Sequence, residues 1–203
     1  MRPSTDAEQY YYCKELIPKI AGTYKGVVAV YGGGKGMWDD YAKMQEFGVE
    51  HDTMAINIAG LFIPNLTHLF SLHYKNISYI SKWRKVEYGK ADKQICHSSK
   101  MIDGVDYVWH LPTMASTSGL LSVVLAHLLG YDKIILCGVP MDNSGYFYKP
   151  FVNETFKDRC REMELEMLRD KDIGTKIRSM SGRSKNVFGE PTIEWIKEDS
   201  HAS

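Results

Sequence analysis

The sequence STSGLLSVVLAHLLGYDKIILCGVPMD, residues Ser116 to Asp142, decides the fold of this chain. Ser116 and Thr117 suit a helix N-cap, an almost wholly apolar run follows them, and Gly130 suits the left-handed residue that ends a helix. The next segment, Lys133–Val139, is rich in aliphatic residues and does not alternate with polar ones. A helix without a polar face before such a strand is typical of a parallel sheet that is buried on both faces. The sequence therefore predicts an α/β fold, with a Rossmann-like, open and mostly parallel sheet and helices on both faces.

Similar patterns extend this unit in both directions along the chain. Further strands are predicted at Gly26–Tyr31, Asp52–Ile58, Leu66–Leu72, Lys93–His97, Val105–Trp109 and Thr175–Met180. Helices are predicted at Asp6–Ile20, Trp38–Phe47 and Asn76–Lys85, over an apolar stripe of Phe156, Cys160, Met163 and Met167, and as a last turn at Thr192–Lys197. Residues 59–65 are few for a connection between parallel strands, which leaves open either a compressed helical turn or different strand limits.

The composition limits the classes of partner and compartment. The 203 residues include 25 Lys plus Arg and 25 Asp plus Glu, so no net charge favours a nucleic acid or an anionic membrane. We expect a small-molecule ligand, and the possibility of a homo-oligomer stays open. The length suits one domain over 1–203, with an N-terminal helix within 1–22 and a helical closing segment over 152–203. Four dispersed cysteines and no signal-like or membrane-length apolar run predict free thiols and a cytoplasmic location.

Small and polar residues follow the predicted strands, and in a parallel sheet such strand ends share one edge, where ligands bind. The first strand is followed by the glycine turn Gly32-Gly33-Gly34-Lys35-Gly36. Its backbone N–H groups are candidates for binding a phosphate, and Lys35 would add positive charge. The spacing fits neither a P-loop nor a dinucleotide fingerprint, so a tight strand-to-helix turn is the alternative interpretation.

The start of the central helix is a second candidate anion site. Thr117, Ser118 and Gly119 combine hydroxyl groups with the unpaired N–H groups of a helix N-terminus, although ordinary capping by Ser116 explains part of this pattern. The candidate acid–base residues are His73, at the end of the third strand, and Asp142, just beyond the central strand. Structural hydrogen bonding is the alternative for a lone histidine.

Other charged residues have weaker claims. His110 precedes the central helix closely enough to reach the same cleft. Asp39 and Asp40 are candidates to bind Mg²⁺ through a nucleotide phosphate or to act as bases, although favourable charge at a helix N-terminus is the preferred explanation. Arg178, in the turn Arg178–Arg183, is a further candidate for binding phosphate or carboxylate, with a solvated surface turn as the alternative. The sequence contains no H-x-x-x-H, C-x-x-C or H-E-x-x-H pattern, so we expect no protein-made metal site.

Several of these strand ends together resemble those of a Rossmann-like group of proteins allied to bacterial sialyltransferases, motility accessory factor glycosyltransferases and the archaeal 6-hydroxymethyl-dihydropterin pyrophosphokinase. The pieces that carry the resemblance are Gly32–Gly36, Ala55–Asn57, Ser71–His73 with Trp83, Thr117–Gly119 and Gly138–Asp142. The group typically opens with a G-x-G-P-S/T-like turn, where this chain has Gly34-Lys35-Gly36-Met37. The segments RSMSG and GEPTIEW near the C-terminus resemble uncharacterised phage and prophage proteins.

The resemblance implies a transferase that binds a nucleotide or a nucleotide-sugar and moves a glycosyl group to an unknown acceptor. Gly33, Gly34, Asn57, Ser118 and Gly119 would hold the nucleotide, with His73 or Asp142 handling the proton and Lys35 neutralising phosphate. Mg²⁺ would be expected with a diphosphate or ATP, and not required with a CMP-linked donor. Two alternatives stay open, namely Mg²⁺-dependent pyrophosphoryl transfer from ATP and a non-catalytic module that binds or sequesters a nucleotide. If the chain is phage-encoded, the expected location is the host cytoplasm.

Overall fold

A computed structural model describes residues 18–73, 75–89, 93–111, 117–148 and 158–198. The strands are β1 (Val27–Tyr31), β2 (Asp52–Ile56), β3 (His68–Phe70), β4 (Ile95–Ser98), β5 (Tyr107–Val108), β6 (Lys133–Cys137) and β7 (Ile177–Ser179). The α-helices are α1 (Met37–Glu46), α2 (Lys75–Glu87), α3 (Ser118–Leu129), α4 (Asp158–Arg169), α5 (Asp172–Thr175), α6 (Gly182–Phe188) and α7 (Ile193–Lys197). A 3₁₀ helix over Asn57–Leu61 follows β2.

The strands form one seven-stranded sheet in the order β5-β4-β3-β2-β1-β6-β7, and every pair is parallel. The chain builds the sheet outward from β1 to β5, crosses back through α3, and continues with β6 on the other side of β1. The predicted Rossmann-like α/β fold is confirmed. The order of the strands reverses between β1 and β6, and such switch points are where open parallel sheets bind ligands.

Two apolar layers bury the sheet, and alternate residues of each strand point to opposite layers. Val28 and Val30 of β1 pack with α3 on one face, while Ala29 and Tyr31 pack with α1 and α2 on the other. The helix α3 is buried along most of its length, as its lack of a polar face predicts. No helix in the described part of the chain is both long and apolar enough to cross a membrane.

The structure corrects the apolar stripe predicted for α4. Within residues 162–169 of this helix, Leu165 and Leu168 are buried, whereas Met163 and Met167 are 57% and 45% exposed. Residues two positions apart are separated by about 200° around the helix axis and lie on nearly opposite faces. The stripe with Met163 and the stripe with Leu165 therefore cannot both be buried. Both stripes are apolar, and only the packing of α4 against the sheet decides between them. Phe156 and the side chain of Cys160 lie outside the described part of the chain.

Other limits shift at the two ends of the chain. The predicted helix Asp6–Ile20 falls mostly outside the described residues, and residues 19–22 form a turn. The predicted strand Thr175–Met180 shortens to Ile177–Ser179, because Thr175 belongs to α5. Cys96 and Cys137 are free and buried, as predicted for thiols in this chain.

The short connection between β2 and β3 contains a compressed helical turn, and both strands are also shorter than predicted, so both alternatives left open by the sequence hold. The guanidinium of the buried Arg84 stabilises this turn, since its Nη1 donates hydrogen bonds of 2.6 and 2.7 Å to the carbonyls of Gly60 and Ile63. The same guanidinium lies 4.6 Å above the ring of Tyr88. A buried charge of this kind is tolerated because backbone carbonyls accept hydrogen bonds from it.

A chain of side-chain hydrogen bonds crosses the α3 side of the core, from Trp109 through His97, His68 and Tyr131 to Asp52. The successive donor–acceptor distances are 3.0, 3.0, 2.9 and 2.6 Å. The direction of donation is fixed because an indole N–H can only donate and a carboxylate can only accept. Each imidazole must therefore be neutral, with its proton on Nε2.

We expect Tyr131→Phe to lower the free energy of unfolding by about 2–3 kcal/mol, because it removes the acceptor of the His68 N–H and the donor to Asp52. The matched control is Tyr31→Phe. Tyr31 is equally buried, but its hydroxyl has no hydrogen-bond partner among the described residues. Losing that hydroxyl should leave stability unchanged or raise it by up to about 1 kcal/mol. Urea titration measures both variants, and equal losses would contradict the assignment of the chain.

Candidate functional site

A pocket of about 710 Å³ opens at the C-terminal edge of the sheet, at the switch point between β1 and β6. The loops after β1, β2, β3 and β6 contribute to it, together with the N-terminus of α3. Nearly all the site residues expected from the sequence line this one pocket, namely Gly32, Gly33, Gly34, Asn57, His73, Thr117, Ser118, Gly119 and Asp142. The two candidate anion sites thus face a single cleft.

Three N–H groups of the glycine turn are paired within the protein. The N–H groups of Gly32 and Gly34 donate to the carbonyls of Cys137 and Gly138 at 2.8 Å, and that of Lys35 donates to Gly145 at 3.1 Å. These bonds continue the pairing of β1 with the segment after β6. Since the three N–H groups are already paired within the protein, the phosphate-binding role expected of them does not fit this geometry. The alternative interpretation, a tight strand-to-helix turn, describes them.

The N-terminus of α3 supplies donors that the glycine turn does not. Thr117 is the N-cap, and its side chain accepts a hydrogen bond of 3.3 Å from the Leu120 N–H. The N–H groups of Ser118 and Gly119 belong to the first turn, where a helix offers no acceptor of its own. Together with the helix dipole, these amides create a positive potential at one end of the pocket.

Asn57 stands where β2 ends and has a left-handed backbone, with φ of 51°. Its side-chain oxygen accepts a hydrogen bond of 2.7 Å from the hydroxyl of Ser71. This bond fixes the amide plane and leaves the amide nitrogen as the donor that Asn57 can offer to a ligand. His73 lies nearby in the loop after β3 and also lines the pocket.

The segment after β6 forms another side of the pocket. Met141 adopts a left-handed backbone there, with φ of 55°, which costs a residue with a side chain about 1–2 kcal/mol. Strain of this kind is concentrated at functional sites. The carboxylate of Asp142 accepts a hydrogen bond of 2.8 Å from the Ser144 N–H, closing a local turn. This turn keeps Asp142 at the rim, where it also borders an adjacent hollow that contains Lys35.

Asp40 supports the pocket from beneath, although helix-terminus charge was the preferred explanation for it. One of its oxygens accepts hydrogen bonds from the Gly138 N–H at 2.7 Å and from the Ser181 hydroxyl at 2.9 Å. Burial raises the pKa of this carboxyl, and these two hydrogen bonds oppose the rise. Asp40 therefore ties α1 to the loop after β6 and to the segment after β7.

The segment expected as a turn around Arg178 instead packs as a support. Ser184, at the start of α6, donates from its hydroxyl to the Val139 carbonyl at 2.5 Å. The guanidinium of Arg178 lies 4.7 Å above the ring of Trp195, outside the pocket lining. Lys35 borders only the adjacent hollow. The geometry thus leaves Arg178 and Lys35 out of the pocket lining, although Lys35 shares the adjacent hollow with Asp142.

Tyr146 and Tyr148, which the sequence did not predict as site residues, form an aromatic wall of the pocket. Their rings stack with centroids 5.2 Å apart and an interplanar angle of 18°. The signal that could have found them is a pair of tyrosines in the loop that follows a predicted parallel strand, because ligands bind at the carboxyl ends of such strands.

The pocket has little positive charge from side chains. Among the described residues that line it there is no Lys or Arg, and Asp142 is the carboxylate. No group of three His, Cys, Asp or Glu side chains in the described ranges could hold a metal ion. Binding of an anion here would depend on the α3 amides, on His73 when protonated, or on a cation that arrives with the ligand.

No protein-family model matches the chain, and there is no significant match among curated proteins or solved structures.

Proposed function

We propose that this protein binds a nucleotide or nucleotide-sugar at the switch-point pocket and transfers the glycosyl group to an acceptor. The observation that carries the proposal is the convergence of the α3 N-terminus, Asn57 and the loops after β1 and β6 on one pocket of about 710 Å³. This volume lies within the usual range for small-ligand sites, and the place in the sheet is where nucleotides bind in such folds.

The charges of the pocket favour a donor with one phosphate. A helix N-terminus with two amides that have no acceptor within the helix can hold a single phosphate group. A diphosphate carries more negative charge, and the described lining offers no Lys or Arg to balance it. Such a donor would need Mg²⁺, for which Asp142 and the phosphate oxygens are suitable ligands. We therefore expect binding of a monophosphate-linked donor to be independent of Mg²⁺.

The transfer needs one base and one stabilised leaving group. His73 or Asp142 would take the proton from the acceptor hydroxyl as its oxygen attacks the anomeric carbon. The bond between that carbon and the phosphate oxygen breaks, and the nucleotide leaves with the negative charge. The Ser118 and Gly119 amides are suited to stabilise this charge as it develops.

The test is a thermal-shift screen of nucleotides and nucleotide-sugars, with EDTA or Mg²⁺, followed by mass analysis of every stabilising ligand. A ligand at 100 times its dissociation constant adds about 2.7 kcal/mol to stability, which gives a clear shift. Without an acceptor in the assay, we expect slow release of free nucleotide from the nucleotide-sugar, because water can take the place of the acceptor. Either His73 or Asp142 acts as the base. Replacing that residue by asparagine should lower the rate of nucleotide release at least about 100-fold, while nucleotide binding persists. If no nucleotide shifts the melting temperature, the proposal is wrong.

A non-catalytic nucleotide-binding module is the second candidate. It is favoured by the architecture, because the described residues form one sheet with its covering helices and no separate acceptor lobe. This candidate predicts that the stabilising nucleotide is recovered unchanged. Pyrophosphoryl transfer from ATP predicts instead that Mg²⁺ is essential and that AMP is released, and the lack of basic lining residues makes it the weaker alternative.

A further inference from the structure

The aromatic wall of Tyr146 and Tyr148 is held rigidly over the glycine turn. Tyr146 pairs with Gly34 in an antiparallel bridge, and the Phe147 N–H donates to the Gly33 carbonyl at 3.0 Å. Residues 147 and 148 form a turn directly after this bridge. The Phe147 ring contacts Phe62 and Trp38, with ring centroids 5.2 and 6.0 Å away, while both tyrosines face the pocket.

Gly33 lets the tyrosines approach the turn this closely. A Cβ atom at Gly33 would lie 2.9 Å from Cε1 of Tyr148 and 3.1 Å from Cδ1 of Tyr146. The rings therefore rest directly on the backbone of the turn. Tyr146 and Tyr148 are nevertheless 37% and 42% exposed, so the pair keeps aromatic surface within reach of a ligand.

We propose that Tyr146 and Tyr148 form the base-binding wall of the pocket, on which the nucleobase of the ligand stacks. This inference rests on the proposed function and adds which part of the pocket binds each part of the ligand. The phosphate binds at the α3 N-terminus, and the planar base extends the tyrosine stack. Without Lys or Arg in the described lining, stacking on aromatic rings is the main source of affinity that the pocket offers.

Stacking also limits how the site selects its ligand. Every nucleobase has an aromatic face, so a stacking wall tolerates several bases and discriminates against ligands that have no base. We expect the protein to prefer nucleoside monophosphates over ribose 5-phosphate, with smaller differences among the four bases. The tyrosine hydroxyl groups contribute little to this preference, because the ring faces make the contact.

The experiment is isothermal titration of the full chain with the four nucleoside 5′-monophosphates and with ribose 5-phosphate. Tyr146→Leu and Tyr148→Leu remove a ring, whereas Tyr146→Phe and Tyr148→Phe keep it. Loss of one stacking ring should weaken monophosphate binding roughly 5- to 100-fold, and ribose 5-phosphate binding should change less than about threefold. The phenylalanine variants should keep the affinity within about threefold. Tyr79→Leu, on the exposed face of α2, is the control for a tyrosine outside the pocket.

The outcomes separate this inference from the function on which it rests. If the wild-type chain binds monophosphates and the leucine variants bind them equally well, the base-binding wall is wrong and the nucleotide site stands. If the phenylalanine variants lose as much affinity as the leucine variants, the hydroxyl groups make the contact, which also overturns the wall. If the wild-type chain binds no monophosphate, both proposals fail. Circular dichroism confirms that each variant is folded.

Discussion

Replacing Gly138 by alanine is expected to lower the free energy of unfolding by about 3–5 kcal/mol and to close the pocket. Gly138 has φ of +62°, where alanine is strained, and its N–H binds the buried Asp40. A Cβ atom there would lie 2.5 Å from the Cβ of Met37 and 2.9 Å from the Gly32 carbonyl oxygen. Neither atom can move without shifting α1 or the glycine turn, so the cost exceeds that of the strained backbone alone.

Gly36→Ala is the matched control for this prediction. Gly36 has φ of −84°, and an added Cβ would meet no atom within 4 Å. It should change stability by no more than about 0.5 kcal/mol. Urea titration compares the two variants, and a loss at Gly138 no larger than the loss at Gly36 would contradict the close approach of the loops at the switch point.

Stability is also expected to fall steeply in mild acid, by about 3–4 kcal/mol between pH 7 and pH 5. Burial lowers the pKa of His68 to about 4 and that of His97 to about 3. Unfolded histidine has a pKa of about 6.5, so the unfolded chain takes up protons first. Their contribution to stability is complete above about pH 6.5 and is lost as the pH falls toward the folded values.

The surroundings of the two imidazoles explain why protonation is so costly. A proton added to His97 or His68 would place two N–H groups opposite each other along the chain from Trp109 to Asp52. Tyr24 and Tyr131 pack against the His68 ring, and the carboxylate of Asp52 is the facing charge that raises its pKa. Burial lowers the pKa of His68 by more than this attraction raises it.

Urea titrations at several pH values measure this effect as a slope. We expect the double variant His68→Gln with His97→Gln to lose most of the wild-type slope between pH 5 and pH 7, whereas His110→Gln, at an exposed position, keeps it. A wild-type chain equally stable at pH 7 and pH 5 would show that the imidazoles are not neutral in the fold.

The fold was predictable because burial leaves a strong pattern in the sequence. The apolar helix α3 and the strand β6 have no polar face, which only a sheet covered on both sides accommodates. The strand ends then follow from chain direction, since all parallel strands end at one edge. For this reason the sequence also brought Gly34, Asn57 and Ser118 to the same pocket.

What the sequence could not show depends on which side chain faces which neighbour. The glycine turn looks like an anion site, but the N–H groups of Gly32, Gly34 and Lys35 pair with carbonyls more than 100 residues away. Arg178 has the chemistry of a phosphate ligand, but its guanidinium packs on the ring of Trp195, outside the pocket lining. Met163 and Leu165 are both apolar residues of α4, and only the docking of that helix separates the exposed one from the buried one.

The central claim is that a nucleotide binds at the switch point between β1 and β6, and amide hydrogen–deuterium exchange tests it most directly. The full chain is compared with and without a saturating nucleoside monophosphate. We predict slower exchange in the peptides that cover Thr117–Leu121, Gly138–Gly145 and Asn57, with the N-terminal edge of the sheet unchanged. Binding without protection of these peptides, or protection confined to another part of the chain, would contradict the account.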